Sequence, residues 1–202
     1  MVAPEVWVER LNRGVSKRNA RWTFVREQAF GDALRLRRFQ LGNGLTVLTL
    51  VDRSAPTVSY HTWFRVGSRH EEAGKTGLAH LFEHLMFNET SNHNLGDFDR
   101  LMERAGAEAN AATWTDWTYY YENAPCDALP LLIELEADRM ANLVLRTPQV
   151  TSEKEVVANE RKLRVEDDVE GKALELLSAT AFKRHPYRWP TIGWMQDIQG
   201  FT

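Results

Sequence analysis

His80 and His84 stand four residues apart, and Glu83 follows His80 by three, within Gly77-Leu78-Ala79-His80-Leu81-Phe82-Glu83-His84-Leu85-Met86-Phe87-Asn88. In a helix, that spacing sets all three side chains on one face, where they can converge on a point. Two neutral imidazoles so placed can hold a zinc ion, and a neighbouring carboxylate can take a proton from a metal-bound water. A plain core helix is the competing explanation, because Leu78, Leu81, Phe82, Leu85 and Met86 are apolar. One histidine would fit that explanation; two histidines and a glutamate among large apolar neighbours favour a metal site. A catalytic zinc normally has three protein ligands and an open position for water, so a third ligand is needed. Cys126 is one candidate, but in its proline-containing turn a single small buried thiol is the commoner explanation. Glu153 and Glu160 are better placed. Their seven-residue separation is two helical turns, so both project from one face of the helix after Thr151. Spacing alone does not choose between them; one could bind metal while the other orients a ligand by hydrogen bonding to it. Glu155, Glu166, Asp167 and Asp168 read as solvated acids.

The elements that must position these groups follow from pattern and punctuation. Residues 1–36, with basic side chains between acids, read as an N-terminal arm, either solvated or a surface helix. Arg38–Leu41 and Leu45–Val51 flank Gly42-Asn43-Gly44, a hairpin signal because Asn and Gly both tolerate positive φ. Thr57–Val66 reads as a third strand, with Val58, Tyr60, Thr62 and Phe64 on one face and Trp63 on the other. A polar loop leads to Thr76, a plausible N-cap for the histidine helix. Asp97–Ala105 is a short helix with Phe98, Leu101 and Met102 inward, ended by Gly106. Ala107–Glu122 is rich in threonine and aromatics and therefore strand-like. One long helix spans about 128–145, stopped at Thr147-Pro148. A second begins near Thr151 with capping-box chemistry, pauses around Asp167–Gly171 and resumes over Ala173–Phe182. The segment Lys183–Trp194 is loop-like. Strands followed by helices and one further strand give an α+β fold: an antiparallel sheet packed against helices, in a domain spanning 37–202.

Composition sets the outer limits. A chain of 202 residues with 26% charged and 43% apolar residues can bury one sizeable core. The net charge of −3 gives no reason to expect nucleic acid as a partner. A single cysteine excludes an internal disulfide. No apolar run reaches the ~20 residues of a transmembrane helix, and no signal-peptide core is visible at the N-terminus. The expected location is accordingly a soluble one, bacterial-type cytoplasmic or periplasmic.

His80-Leu81-Phe82-Glu83-His84 is the H-x-x-E-H order of inverzincins, distinct from H-E-x-x-H. With it, the chain resembles the pitrilysin/insulysin and mitochondrial-processing-peptidase family of zinc metallopeptidases. Val157-Ala158-Asn159-Glu160-Arg161 is similar to the family's second motif, and Glu153 matches its supporting carboxylate. Asn43–Val47, Gly67–Glu71, Asn110-Ala111-Ala112-Thr113 and the closing His185-Pro186-Tyr187 with Pro190–Gly193 extend the likeness over about residues 37–200. The resemblance implies a zinc metalloendopeptidase of the processing-peptidase fold, acting on peptides or small unfolded proteins. It implies that His80, His84 and Glu160 bind one Zn²⁺ and that Glu83 is the general base. It also implies that Glu153 supports the ligands and that Ala109, Asn110 and Ala111 form the edge strand that receives an extended peptide. Asn110 is the expected contact to substrate or to Glu83. Family members close the cleft with a homologous second half or a partner subunit. This chain looks incomplete at its C-terminal end, and alone is expected to be of low activity.

Two other readings remain at this point. A metal-dependent lyase of the S-ribosylhomocysteine type also has H-x-x-E-H and uses a cysteine ligand, for which Cys126 would serve; Glu153 and Glu160 would then have no purpose. A non-catalytic structural or recruiting subunit of a peptidase pair is the other, although such subunits typically have eroded metal motifs.

Overall fold

A computed structural model describes residues 3–201. The chain divides into two compact units, Met1–Pro56 and Thr57–Thr202. The first holds α1 (Pro4–Leu11), β1 (Trp22–Phe30), β2 (Leu34–Leu41) and β3 (Thr46–Leu50), the strands forming an antiparallel sheet in the order β1-β2-β3. The expected arm therefore contains a surface helix and also a strand. Arg26, Glu27 and Gln28 lie in the middle of β1 and give it no alternating apolar signal, yet it pairs with β2 from Trp22↔Leu41 to Phe30↔Leu34. The β2–β3 hairpin forms as expected, with a different turn. Only Gly44 adopts positive φ, at 98°. Asn43 instead accepts the Leu45 N–H on its side chain, 3.0 Å away.

The second unit opens with β4 (Thr57–Phe64), whose Val58, Tyr60, Thr62 and Phe64 face inward as their alternation predicts. α2 (Leu78–Leu85) and α3 (Asp97–Arg104) follow, then the hairpin β5 (Glu108–Thr113) and β6 (Thr118–Pro125). The sheet order is β4-β6-β5, all antiparallel, so β5 is an edge. The single stretch expected over 107–122 is thus two strands. The chain turns at Trp114–Trp117, where the Trp114 N–H donates to the Trp117 carbonyl at 2.8 Å. α4 (Leu129–Asn142), α5 (Thr147–Arg161), α6 (Val169–Ala181) and α7 (Met195–Gly200) complete the unit. α5 begins four residues before the expected Thr151. Pro148 starts this helix rather than merely ending the previous one, because a first-turn proline lacks an N–H the helix would not use.

Two apolar clusters hold the second unit. Phe98, Met102, Ala124, Leu132 and Leu135 join α3 and α4 to the sheet. Leu81 and Leu85 of α2 meet Val157 of α5 and Ile198 of α7 in the other. Each such side chain stabilises by about 1.5–3 kcal/mol on full burial. This second cluster fixes α5 beside α2. Among the described residues, no helix is long and apolar enough to cross a membrane.

Candidate metal centre

α2 starts without a side-chain cap of its own. Gly77, not Thr76, takes the N-cap position, at φ 90°. The free amides of its first turn go to Glu71, whose two carboxylate oxygens accept from Gly77 N (2.9 Å) and Ala79 N (2.8 Å). Burial nevertheless pushes the Glu71 carboxyl up to about 7. Thr76 is buried and turned the other way, its hydroxyl and N–H both donating to Asp197 at 2.6 and 3.1 Å. Gly77 and Gly193 pass at close range: a Cβ at Gly77 would lie 2.4 Å from the Ile192 carbonyl oxygen, and one at Gly193 would lie 2.3 Å from that of Thr76. The start of α2 is therefore anchored by a loop and a helix more than a hundred residues away.

On that helix, His80 and His84 present their rings 4.8 Å apart by centroid. Glu160, carried by α5, brings Oε2 to 3.6 Å from His80 Nε2 and 3.5 Å from His84 Nε2. One ligand atom from each of the three lies within 4.8 Å of the others. Glu153 sits behind this group, with Oε2 3.4 Å from His84 Nδ1 and Oε1 accepting from Asn88 Nδ2 at 3.3 Å. That is the orienting contact a ligating histidine commonly makes through its other nitrogen. Glu83 points into the same cleft, 9% exposed, and accepts a hydrogen bond from the Thr113 hydroxyl. The cleft has a volume of about 1010 Å³.

Electrostatics separates the two histidines. Burial drives His80 down to about 4, so its ring is neutral at pH 7. The Glu160 carboxylate raises His84, and in return His84 holds Glu160 below the ordinary carboxylate range. Burial raises Glu83. The donor set fits a divalent cation. Glu160 Oε2 is a buried carboxylate oxygen with no hydrogen-bond donor, aimed at two imidazole nitrogens. Two nitrogens and one carboxylate oxygen are a ligand set that zinc accepts.

Of the residues expected at the substrate edge, Asn110 and Ala111 line the cleft, while Ala109 packs against the α3–α4 cluster. Asn110 does not reach Glu83: its Oδ1 accepts from Ala111 N at 2.8 Å, and the hydroxyl on Glu83 is that of Thr113. Cys126 is exposed in the turn before α4 and is not part of the cluster, which removes the ligand that a lyase site would need. Asn88 and Arg164, the latter 2.9 Å from Glu160 Oε1, escaped the sequence reading. Asn88 lies four residues after His84 and Arg164 four after Glu160, a helical spacing that could have flagged them.

His80 and His84 of the H-x-x-E-H stretch, with Glu160 from a second helix, form a group that could hold a metal ion. The chain belongs to the insulinase family, peptidase family M16, whose model matches residues 46–193. The zinc protease PqqE of Helicobacter pylori is 37% identical over 163 residues, covering 80% of this chain and 37% of that protein. The probable mitochondrial-processing peptidase subunit beta of Schizosaccharomyces pombe is 32% identical over 162 residues, 80% of this chain and 35% of the relative. The crystal structure of a protease from Helicobacter pylori superposes with a TM-score of 0.80 at 36% identity, over 83% of this chain and 40% of that one. Pitrilysin shares the fold, with a TM-score of 0.75 at 24% identity over 88% of this chain and 19% of its own. The chain thus spans well under half the length of these relatives.

Proposed function

We propose that this chain is the metal-binding part of a zinc metalloendopeptidase, with His80, His84 and Glu160 as ligands and Glu83 as general base. The observation that carries the reading is the donorless Glu160 Oε2 facing two imidazole nitrogens, with a carboxylate from the same helix beside them. Zinc held there would supply Lewis acidity, lowering the pKa of a bound water towards about 7. Glu83 takes the proton of the attacking water and passes it to the leaving amine. Its raised pKa suits that exchange, and Thr113 fixes which oxygen is free for it. Glu153 and Asn88 keep the His84 ring turned so that Nε2 faces the metal position.

The substrate is an extended peptide or small unfolded protein added along β5. β5 is an edge of its sheet, and its Ala111 N–H donates to the Asn110 side chain at 2.8 Å. Main-chain pairing of this kind is largely indifferent to sequence. A homologous second half or partner subunit closes the cleft. The test is metal content and peptide cleavage of variants, made in a protein that carries the closing half as well. Glu83→Gln keeps zinc and loses cleavage by at least about 100-fold, whereas His80→Ala and His84→Ala lose both. A fully active Glu83→Gln protein would sink the assignment.

A further inference from the structure

We propose that Arg164 is a positioning residue of the metal centre, holding one oxygen of Glu160 so that only the other faces the two histidines. This rests on the zinc reading above. Arg164 Nε lies 2.9 Å from Glu160 Oε1. Glu160 Oε2 is the buried oxygen without a donor, 3.6 and 3.5 Å from the two Nε2 atoms. The two oxygens of one carboxylate therefore have separate tasks. Without the guanidinium, the carboxylate can rotate about its last bond and present either oxygen, or both, to a cation.

The local backbone supports the division. α5 ends at Arg161, and Lys162–Glu166 forms a π turn, closed by the Asp167 N–H donating to the Lys162 carbonyl at 2.8 Å. Such wide turns recur at functional sites. Two arginines part company across it. Arg161 turns inward, donating to Gly193 O at 2.8 Å and pairing with Glu175 at 2.8 Å. Arg164 stays on the cleft side with Glu160, as the one Lys or Arg among the described residues lining the cleft. The lining also includes Glu83, Glu153 and Glu160, so its charge offsets part of theirs. With a side chain 72% exposed, its ion pair adds little to folding, which leaves orientation as its main effect.

Zinc affinity of this chain, read by competition with a chromophoric chelator, tests the role in wild type, Arg164→Gln and Arg164→Lys, alongside thermal unfolding of each metal-free protein. Loss of a group that orients a ligand typically weakens metal binding 10- to 100-fold, so Arg164→Gln is expected to bind zinc about tenfold more weakly, with Arg164→Lys recovering to within about threefold. The metal-free unfolding midpoints should coincide, which separates positioning from a structural role. A Gln variant that binds zinc like wild type, a Lys variant as weak as Gln, or a midpoint that falls in step with affinity overturns the proposal. Wild type binding zinc no better than His80→Ala would instead overturn the zinc reading itself.

Discussion

Two clusters of titratable side chains in the Thr57–Thr202 unit, one buried and one half-buried, face the same problem and resolve it differently. In the first, Glu122 and Glu136 flank Arg139, with Arg139 Nη2 3.1 Å from Glu122 Oε1 and the same nitrogen also paired with Glu136. Arg139 is 2% exposed and lies over the rings of Phe87, Phe98 and Tyr120 at 5.3, 5.2 and 4.4 Å. Here the chain supplies its own cation and encloses it in aromatic faces. In the second, His80, His84 and Glu160 converge on one point, and the guanidinium of Arg164, paired with Glu160 Oε1, stays on the exposed rim. A cation built into the chain is part of the fold. On the zinc proposal, the second cluster takes its cation from solution instead.

That contrast can be broken most forcefully at Arg139. Arg139→Met leaves the buried Glu136 carboxylate without its cation and the protonated Glu122 without its partner, and should cost about 3–5 kcal/mol of stability, read by urea denaturation. Zinc should leave that loss unchanged. At the second cluster the direction reverses: zinc at a hundred times its dissociation constant should stabilise the wild-type chain by about 2.7 kcal/mol and His80→Ala by none. An equal zinc effect on both proteins would erase the distinction between the clusters.

The first cluster also has a pH signature. Burial, then the adjoining Glu136, push the Glu122 carboxyl from 4.5 up to about 9. In that window the folded chain keeps a proton that the unfolded chain releases, so stability falls as pH rises. The contribution is fully present below about 4.5 and is lost as pH passes through about 9. Glu122→Gln should flatten the decline, seen as unfolding midpoints that converge with wild type at low pH and exceed it at high pH.

What the sequence disclosed, and what it hid, divides along contact range. The histidine helix, the Glu153/Glu160 pair and the β2–β3 hairpin are written in spacings of a few residues, and the α+β class follows from their order. The anchoring of α2 was not legible, because Thr76 meets Asp197, and Gly77 meets Ile192 and Gly193, across most of the domain. Local rules named Thr76 as the cap for good reason: it has the right side chain at the right place. Tertiary pairing claimed its hydroxyl instead. The same holds for Thr113, visible as part of a motif but assigned to Glu83 only by the fold.

A threonine serves each cluster, and the pair gives the finest comparison. Thr62 donates to Glu136 Oε2 at 2.6 Å in the closed cluster, and Thr113 donates to Glu83 in the open one. Replacing either with valine preserves shape and removes the donor. Glu136 is buried, so Thr62→Val should cost about 1.5–3 kcal/mol of stability. Glu83 lines a cleft of about 1010 Å³, where water can replace the lost hydroxyl, so Thr113→Val should cost less than Thr62→Val. Its effect should appear in catalysis, where losing the fixed orientation of a base lowers kcat by about 10- to 100-fold with zinc content unchanged. Thr113→Ser, which restores the donor, should recover most of the rate. If Thr113→Val instead destabilises as much as Thr62→Val and leaves kcat alone, Glu83 belongs with the structural carboxylates and not with the chemistry.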